Sequence, residues 1–549
     1  MKPIPTKRKS SDQYISRRKL CERCGRPCLP LKNMCSTRPQ NEPGGGKASR
    51  KENLISKTAF LEYLLCPKNA WLHLHEPKLA ECFKLTEYEE MLSKAGQAVE
   101  EQAQKLFPKG TLVKTFGNAG IEETKKHIVQ KTPVLFQPTF AHKNFIARSD
   151  ILEYDPEAGT WNLYEIKASN SAEKRSGGTD YIADAAFQME IIRQNGIKPG
   201  KISIIHLNPD YARNEKLDAE SLFIIEDITR RVEERKKEIG AFMKEACRDL
   251  LKKNCKGIRC DCLYRGRSAH CPTFSYSHPE VPEYSVHDLW RIGNSKNKLK
   301  ELADRKIYNI KKLPENFPAN NIQQNQISVW KTGLPIINAE AIREELSGLE
   351  YPLYFLDYET YAPSIPLFRG FRPYEQIPFQ FSLDVLEKKG DELENHEYLH
   401  DSPCDPSPYI AEELHRVIGK QGTVIVWNKR FEQNINKELG ERLPNFRRFF
   451  EKVNERIYDL MDIFQDQYYV HPDFHGKTSI KKVLPALLPG LSYKGMGIRE
   501  GAAASEKWHS MVFGNLLPFE REKILNDLIL YCGLDSRAMY EIWRFLEAV

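Results

Sequence analysis

The sequence predicts an α/β protein built as two successive α/β halves. The chain has 549 residues, more than a single hydrophobic core accommodates. In both halves short apolar runs of strand character mix with longer amphipathic runs, the pattern of α/β cores. Between them lies a polar stretch with proline-marked breaks. The expected divisions are a basic tail over 1–51, a first domain over 52–280, a helical connector over 281–345 and a second domain over 346–549.

Composition narrows the function classes. No apolar run is long enough to span a bilayer, and the basic N-terminus lacks the apolar core of a signal peptide. A cytoplasmic protein with no membrane partner is expected. Thirteen cysteines, an odd number without an export signal, favour metal ligands or buried thiols over a disulfide framework. Residues 1–51 carry 14 Lys and Arg against 3 Asp and Glu, a net +11. The remaining 68 basic and 72 acidic residues sum to −4. Nucleic-acid binding by the body then depends on local patches, since the overall field does not favour it.

The tail has no hydrophobic period and ends in PGGGKASRK, so it reads as a disordered linker. CERCGRPCLPLKNMC within it places Cys21, Cys24, Cys28 and Cys35, a spacing that leaves a small zinc knot open. Order is expected from LISKTAFLEYLLCP, where Ser56 caps a helix that Cys66 and Pro67 end or kink. EYEEMLSKAGQAVEEQAQKLFP reads as a long helix in which Gly96 permits close packing. TLVKTF, TPVLFQPTF, FIARSDILEY and WNLYEIKAS read as strands. TDYIADAAFQMEIIRQNGI reads as a helix, KISIIHLN as a strand, and ITRRVEERKKEIGAFMKEACRDLLKKN as a charged helix.

The stretch FIARSDILEYDPEAGTWNLYEIKAS organises this half. If its two apolar runs pair as a hairpin, Asp150 approaches Glu165. Glu165 and Lys167 point the same way, because residues i and i+2 of a strand share a face. Two carboxylates hold a divalent cation, and the lysine activates water or neutralises a phosphate. Glu100 is expected to face the hairpin, where its carboxylate suits magnesium or manganese.

These features resemble, in order, the PD-(D/E)xK nuclease superfamily, and within it the RecB-like iron–sulfur exonucleases associated with CRISPR adaptation. The matching features are Cys66-Pro67 after the first helix, G-x-x-V from Gly96 to Val99, Asp150 with Glu165-Ile166-Lys167, and a helix carrying Gln188. That family usually has His where this chain has Glu100, and often Tyr where it has Ile192. The resemblance implies a restriction-endonuclease-like fold, with Gln188 helping to position substrate. It also implies a [4Fe–4S] cluster held by Cys66 and by Cys260, Cys262 and Cys271 of CDCLYRGRSAHC, with Cys255 as a spare. Zinc in the same cysteines is the alternative.

In the second half, YFLDYE is an apolar strand that places Asp357 and Glu359 on one face. PFQFSLDVLE and GTVIVWN are further strands, FEQNINKELGERL is a helix, and NKRFE carries Asn428, Phe431 and Glu432. In YCGLD, Tyr531 and Asp535 stand four apart on one face of a long last helix. Asp459 and Asp462 are secondary candidates. These three motifs resemble the DEDD exonucleases, whose fold is RNase H-like, with Glu432 where an Asp is usual. The resemblance implies that Asp357, Glu359, Glu432 and Asp535 bind two metal ions while Tyr531 places the attacking water. The whole layout, with SIKKVLPALLP, YKGMGIREG and YCGLDSRAM, resembles an uncharacterised bacterial family joining a RecB-like to a DEDD-type domain over residues 54–549.

The expected function is that of a metal-dependent exonuclease with two candidate centres, acting on DNA rather than RNA in repair, defence or foreign-DNA processing. The alternatives are an RNA-directed exonuclease, or a nucleic-acid-binding scaffold in which one or both centres are degenerate.

Overall fold

The Ser56 hydroxyl accepts a hydrogen bond from the Ala59 amide at 3.2 Å and starts α1, Lys57–Leu65. Pro67 has no N–H to continue that helix, so it opens α2, Pro67–His75, with Cys66 as an extended corner between the two. Thr86 and Glu89 form a capping box that starts α3, Glu87–Ala103. A Cβ at Gly96 would meet nothing within 4 Å, so the close packing expected of that glycine is absent. The structure is a computed structural model that describes residues 54–173 and 180–549. The basic tail with Cys21, Cys24, Cys28 and Cys35 lies outside the described residues.

Six strands follow α3 and lie side by side in chain order. They are β1 (Gly110–Leu112), β2 (Val134–Phe136), β3 (Ile151–Asp155), β4 (Thr160–Lys167), β5 (Pro199–Leu207) and β6 (Phe223–Asp227). The β1–β2 and β4–β5 pairs are parallel and the other three antiparallel. FIARSDILEY is not one strand. It breaks at Ser149-Asp150, where the chain passes from a small three-stranded sheet into the six-stranded one. The partner run breaks opposite it. The Gln137 amide donates to the Asp150 carbonyl at 2.9 Å and the Ser149 amide to the Pro138 carbonyl at 3.0 Å, so both strands change sheet together. This break sets Asp150 at the head of β3.

Helices α4 (Tyr181–Gln194) and α5 (Thr229–Leu250) cover one face of this sheet together with α1. Phe60, Leu163, Phe187 and Ile204 lie in the core between them. The other face packs Ile166 and Ile205 against Val99 and Ala103 of α3. Alternation along β4 thus sends Trp161 and Leu163 into the first core and, two and four residues on, delivers Glu165 and Lys167 to the same side.

Residues 281–345 form short helices and turns around their own apolar cluster, which includes Val286, Leu289, Leu299 and Ile310. The stretch is therefore less polar in its packing than its sequence suggests. The second sheet contains β7 (Leu353–Tyr361), β8 (Ile377–Leu386), β9 (Glu394–Leu399), β10 (Thr423–Val426) and β11 (Ile457–Asp459), in the order β9-β8-β7-β10-β11. The first three are antiparallel; β10 and β11 run parallel to β7. On one side lies α6, Lys429–Arg442; on the other lie α7 (Ile480–Leu487), α8 (Gly501–Phe513) and α9 (Pro518–Glu547). The five- and six-stranded sheets are both mixed and both covered by helices, consistent with an α/β protein. No helix among the described residues is long and apolar enough to cross a membrane.

Candidate metal centres

The first acidic cluster is an ion-pair network. Lys167 Nζ stands 2.8 Å from Glu165 Oε1 and 2.7 Å from Asp184 Oδ2. Lys57, at the start of α1, reaches the same Glu165 oxygen at 2.8 Å and Asp184 at 3.7 Å. Gln188 donates to Glu165 Oε2 at 2.7 Å and to Asp184 Oδ1 at 2.8 Å, while its own buried Oε1 has no partner. Asp150 accepts from the Ile166 amide at 2.8 Å. Gln137 bonds Glu100 and lies 3.5 Å from Asp150, so Glu100 does face the hairpin.

The charges follow from these contacts. Burial alone would lower both lysines, but the surrounding carboxylates outweigh it and hold Lys57 and Lys167 above their ordinary values. Burial opposes ionisation of Glu165, yet Lys167 and Lys57 hold it well below the usual range. Burial, then the charge of Glu165, push Asp150 up to about 7.

Donor type at this cluster suits a cation, but availability does not. Glu165 already serves two lysines and a glutamine. Among the described residues, Glu100, Asp150 and Glu165 do not form one of the groups whose ligand atoms all lie within 4.8 Å of one another. Ile192, where the resemblance often has Tyr, is in the core. Beside the network lies a cleft of about 610 Å³, lined among others by Lys57, Leu61, Lys167, Asp184, Arg235 and Arg265.

Cys66, Cys260, Cys262 and Cys271 do gather, with all four sulfurs within 4.8 Å of one another. Cys66 Sγ is 3.6 Å from Cys260 Sγ, which is 3.9 Å from Cys271 Sγ. The Lys68 amide donates to the Arg259 carbonyl at 3.0 Å, and Asn69 Oδ1 accepts from both the amide and the hydroxyl of Thr273. The α1–α2 corner is thereby tied to a segment nearly 200 residues away. Cys255 is outside the group and packs on the first core. The donor set fits a thiolate-bound metal. The spacing is close to the ~3.8 Å edge of a tetrahedron with Zn–S bonds of ~2.3 Å.

The second acidic cluster is more open in its chemistry. Asp357, Glu359 and Asp535 have carboxylate oxygens within 4.8 Å of one another, and Glu359 and Asp535 are buried. The face of β7 that buries Leu353 and Phe355 against α9 continues into Asp357 and Glu359. Two buried polar contacts fix the register of α9. Gln380 Nε2 donates to the Leu528 carbonyl at 2.9 Å, and the Ser382 and Ser536 hydroxyls lie 2.7 Å apart. Gln380 and Ser382 sit directly across β8 from Glu359 and Asp357. Asp535 is therefore positioned by the strand that pairs with its fellow ligands.

Glu432 lies in the first turn of α6, after Asn428, whose φ of 102° turns the chain. It is 2% exposed, and its Oε2 has no hydrogen-bond partner. Burial pushes Glu432 up to about 9. Burial and then Asp535 raise Glu359 to about 8, and the same pair of causes carries Asp357 well above the carboxylate range. Burial raises Asp535 to about 6. Glu432, expected as a fourth ligand, is not in the group whose ligand atoms lie within 4.8 Å of one another. The crowded carboxylates of Asp357, Glu359 and Asp535 are what a divalent cation neutralises, so these three residues fit a metal.

Tyr531 accepts a hydrogen bond from Lys481 Nζ at 2.9 Å, and Tyr493 donates to Asp535. Burial, with Glu359 and Asp535, raises Tyr531 far enough to keep its hydroxyl protonated. Asp459 is committed elsewhere: it accepts from the amides of Asn428, Lys429 and Met461 at 2.8–3.1 Å. Neither it nor Asp462 joins the carboxylate group.

Sequence reading missed Lys57, Asp184, Lys481 and Tyr493. Asp184 had a signal, since it stands four residues before Gln188 on an otherwise apolar helix face. Lys57 had none, because a lysine in a first helical turn reads as solvated. Lys481 and Tyr493 come from segments whose folding onto α9 is a tertiary event.

Residues 354–479 match a family described as a domain of unknown function, DUF2779. That match spans β7 to the residues before α7 and so contains Asp357, Glu359 and Glu432. The chain is also similar to an uncharacterized protein of Mycoplasma genitalium, 26% identical over 304 residues, which covers 51% of this chain and 43% of that protein. An uncharacterized protein of Ureaplasma parvum is 26% identical over 250 residues, covering 42% and 34% respectively. The chain thus spans less than half the length of these relatives.

Proposed function

We propose that the protein is a metal-dependent nuclease that cuts DNA at the second acidic cluster. The observation that carries this reading is the gathering of Asp357, Glu359 and Asp535, from two elements far apart in sequence, around a buried point with Glu432 nearby. The mixed sheet that holds them, three antiparallel strands leading into two parallel ones, suits an RNase H-like domain. Magnesium or manganese bound there would polarise the phosphodiester and lower the pKa of water. The protein's own groups do the rest. Asp357, Glu359 and Asp535 would hold such a cation and would give up their protons to it. The Tyr531 hydroxyl, with its oxygen fixed by Lys481, is free to donate and so to orient an attacking water. Tyr493 holds Asp535 in place.

The cysteine group joins the two ends of the first half as a structural staple. The resemblance implies a [4Fe–4S] cluster, whereas the sulfur spacing favours a single tetrahedral zinc ion. At the first acidic cluster one observation favours a binding role over cutting: Glu165 is saturated by Lys57, Lys167 and Gln188. The test is digestion of end-labelled single- and double-stranded DNA and RNA with magnesium or manganese, by the full chain and by its Asp535→Asn and Lys167→Ala variants. Cleavage of DNA that Asp535→Asn abolishes supports the reading. Digestion of RNA alone transfers it to RNA, and no digestion of any substrate removes it.

A further inference from the structure

A groove of about 1120 Å³, outside both acidic clusters and the cysteine group, runs between residues 259–269, residues 287–294 and the loop at 476–477. Six basic and two acidic side chains line it. Both acids are paired, Asp288 with Arg267 at 2.7 Å and Asp261 with Arg259 at 3.9 Å. That leaves Arg265, Arg291, Lys300 and Lys477. All four are exposed, and none is in an ion pair with a described residue. On a body whose overall charge is slightly negative, this is a local basic patch. Specific contacts build it. Gln326, 2% exposed, accepts from the Trp290 amide at 2.9 Å and donates to the Asp288 carbonyl at 2.9 Å. A Cβ on Gly476 would fall 2.3 Å from the same Gln326 nitrogen, so glycine there, at φ +70°, lets the loop close on Gln326 and brings Lys477 into the groove with Trp290. Arg291 takes a φ of 49°, which residues with a side chain seldom adopt, and its guanidinium stands 4.5 Å from the centre of the Trp290 ring.

Unpaired cations along a groove suit a partner with repeated negative charge. Flat groups among them suit one with flat faces between its charges. The Arg291 guanidinium, backed by the Trp290 indole, is such a platform, and Tyr264 lines the same groove at 40% exposure. Bases offer their faces only when they are unpaired, so the fit is to a single strand rather than a duplex. The groove also lies near the second acidic cluster. Lys477 stands four residues before Lys481, whose Nζ holds the Tyr531 hydroxyl, at most about 14 Å of extended chain away. The Thr478 carbonyl between them accepts from Trp427 Nε1 at 3.1 Å, which ties this loop to the residue before Asn428.

We propose that this groove binds single-stranded DNA, with phosphates on Arg265, Arg291, Lys300 and Lys477 and a base on the Arg291–Trp290 stack. The proposal rests on the nuclease reading for the choice of DNA among anions, and its test reads binding alone. Fluorescence anisotropy follows a labelled single strand of about 15 nucleotides on the full chain in EDTA, where no cleavage occurs, over a series of salt concentrations. Lys300→Ala with Lys477→Ala, at exposed positions, is expected to weaken binding about tenfold or more. It should also make the slope of log affinity against log salt shallower by about 1.4, for two lost phosphate contacts. Arg291→Ala is expected to weaken binding of the single strand more than that of a duplex of the same length, because it removes the platform. No binding by the native chain, or an unchanged affinity and slope in the double variant, overturns the inference. So does displacement of the strand by polyglutamate at equal charge, which marks a seat for acidic protein. Binding that behaves as expected in a chain that digests nothing in magnesium or manganese keeps the groove and removes the nuclease reading alone.

Discussion

Glu432 keeps a proton up to about 9 in the fold, while the same group ordinarily loses it near 4.5. Between those values the folded state binds the extra proton, so the metal-free protein loses stability as pH rises through that window. Glu432→Gln removes the titration. It should stabilise chelator-treated protein more near pH 8 than near pH 5, by about 1–3 kcal/mol at the higher pH, a gain limited by the amide's own unpaired atom. Magnesium should then stabilise the native chain more than the variant, since it binds the folded state alone. A gain that shrinks with pH would contradict the buried, protonated state of Glu432. Lys57 makes the opposite case. Its removal leaves Glu165 and Asp184 to share Lys167 and Gln188. Lys57→Ala should destabilise the fold by about 1–3 kcal/mol in a urea melt. An unchanged midpoint would mean that the lysine is an ornament of the network.

At the scale of elements, the α1–α2 corner and the run from Cys260 to Cys271 meet at the four sulfurs and through a few hydrogen bonds, from Lys68 to Arg259, from Thr273 to Asn69 and from Arg265 to the Leu65 carbonyl. The second of these segments is built of short 3₁₀ turns and loops around a small apolar cluster. Metal analysis of anaerobically purified protein is expected to find about one zinc per chain in a colourless preparation, as the sulfur spacing indicates. Brown protein with iron and sulfide would follow the resemblance instead. Cys66→Ser should lose the metal and expose this segment to proteolysis. Protein with neither metal, and equal resistance in the variant, would remove the staple. Register was the part of each element that the sequence left out. The i, i+2 and i, i+4 spacings put Asp357 beside Glu359 and Tyr531 near Asp535, but nothing local says that Gln380 and Ser382 clamp α9. FIARSDILEY reads as one strand because all ten residues suit an extended chain. Its break is imposed by the partner segment at Gln137-Pro138.

For the whole molecule, the α/β class was legible because the apolar periods are strong in both halves. The order of the strands was not, since sheet pairing depends on contacts far apart in sequence. The polar character of residues 281–345 concealed an apolar cluster of their own. In the site, the carboxylates were legible by type and spacing. Their counter-charges were not, because Lys57 and Lys481 arrive from helices whose faces point inward only after packing. The central claim is that the Asp357, Glu359 and Asp535 cluster cuts DNA. Its most direct test is the rate at which the full chain releases label from 3′-end-labelled DNA in magnesium, compared with Asp357→Asn, Asp535→Asn and the double variant. Each single change should slow release about a hundredfold or more, and the double should be little worse, because the ligands act as a unit. Release at the native rate from both single variants would contradict the claim.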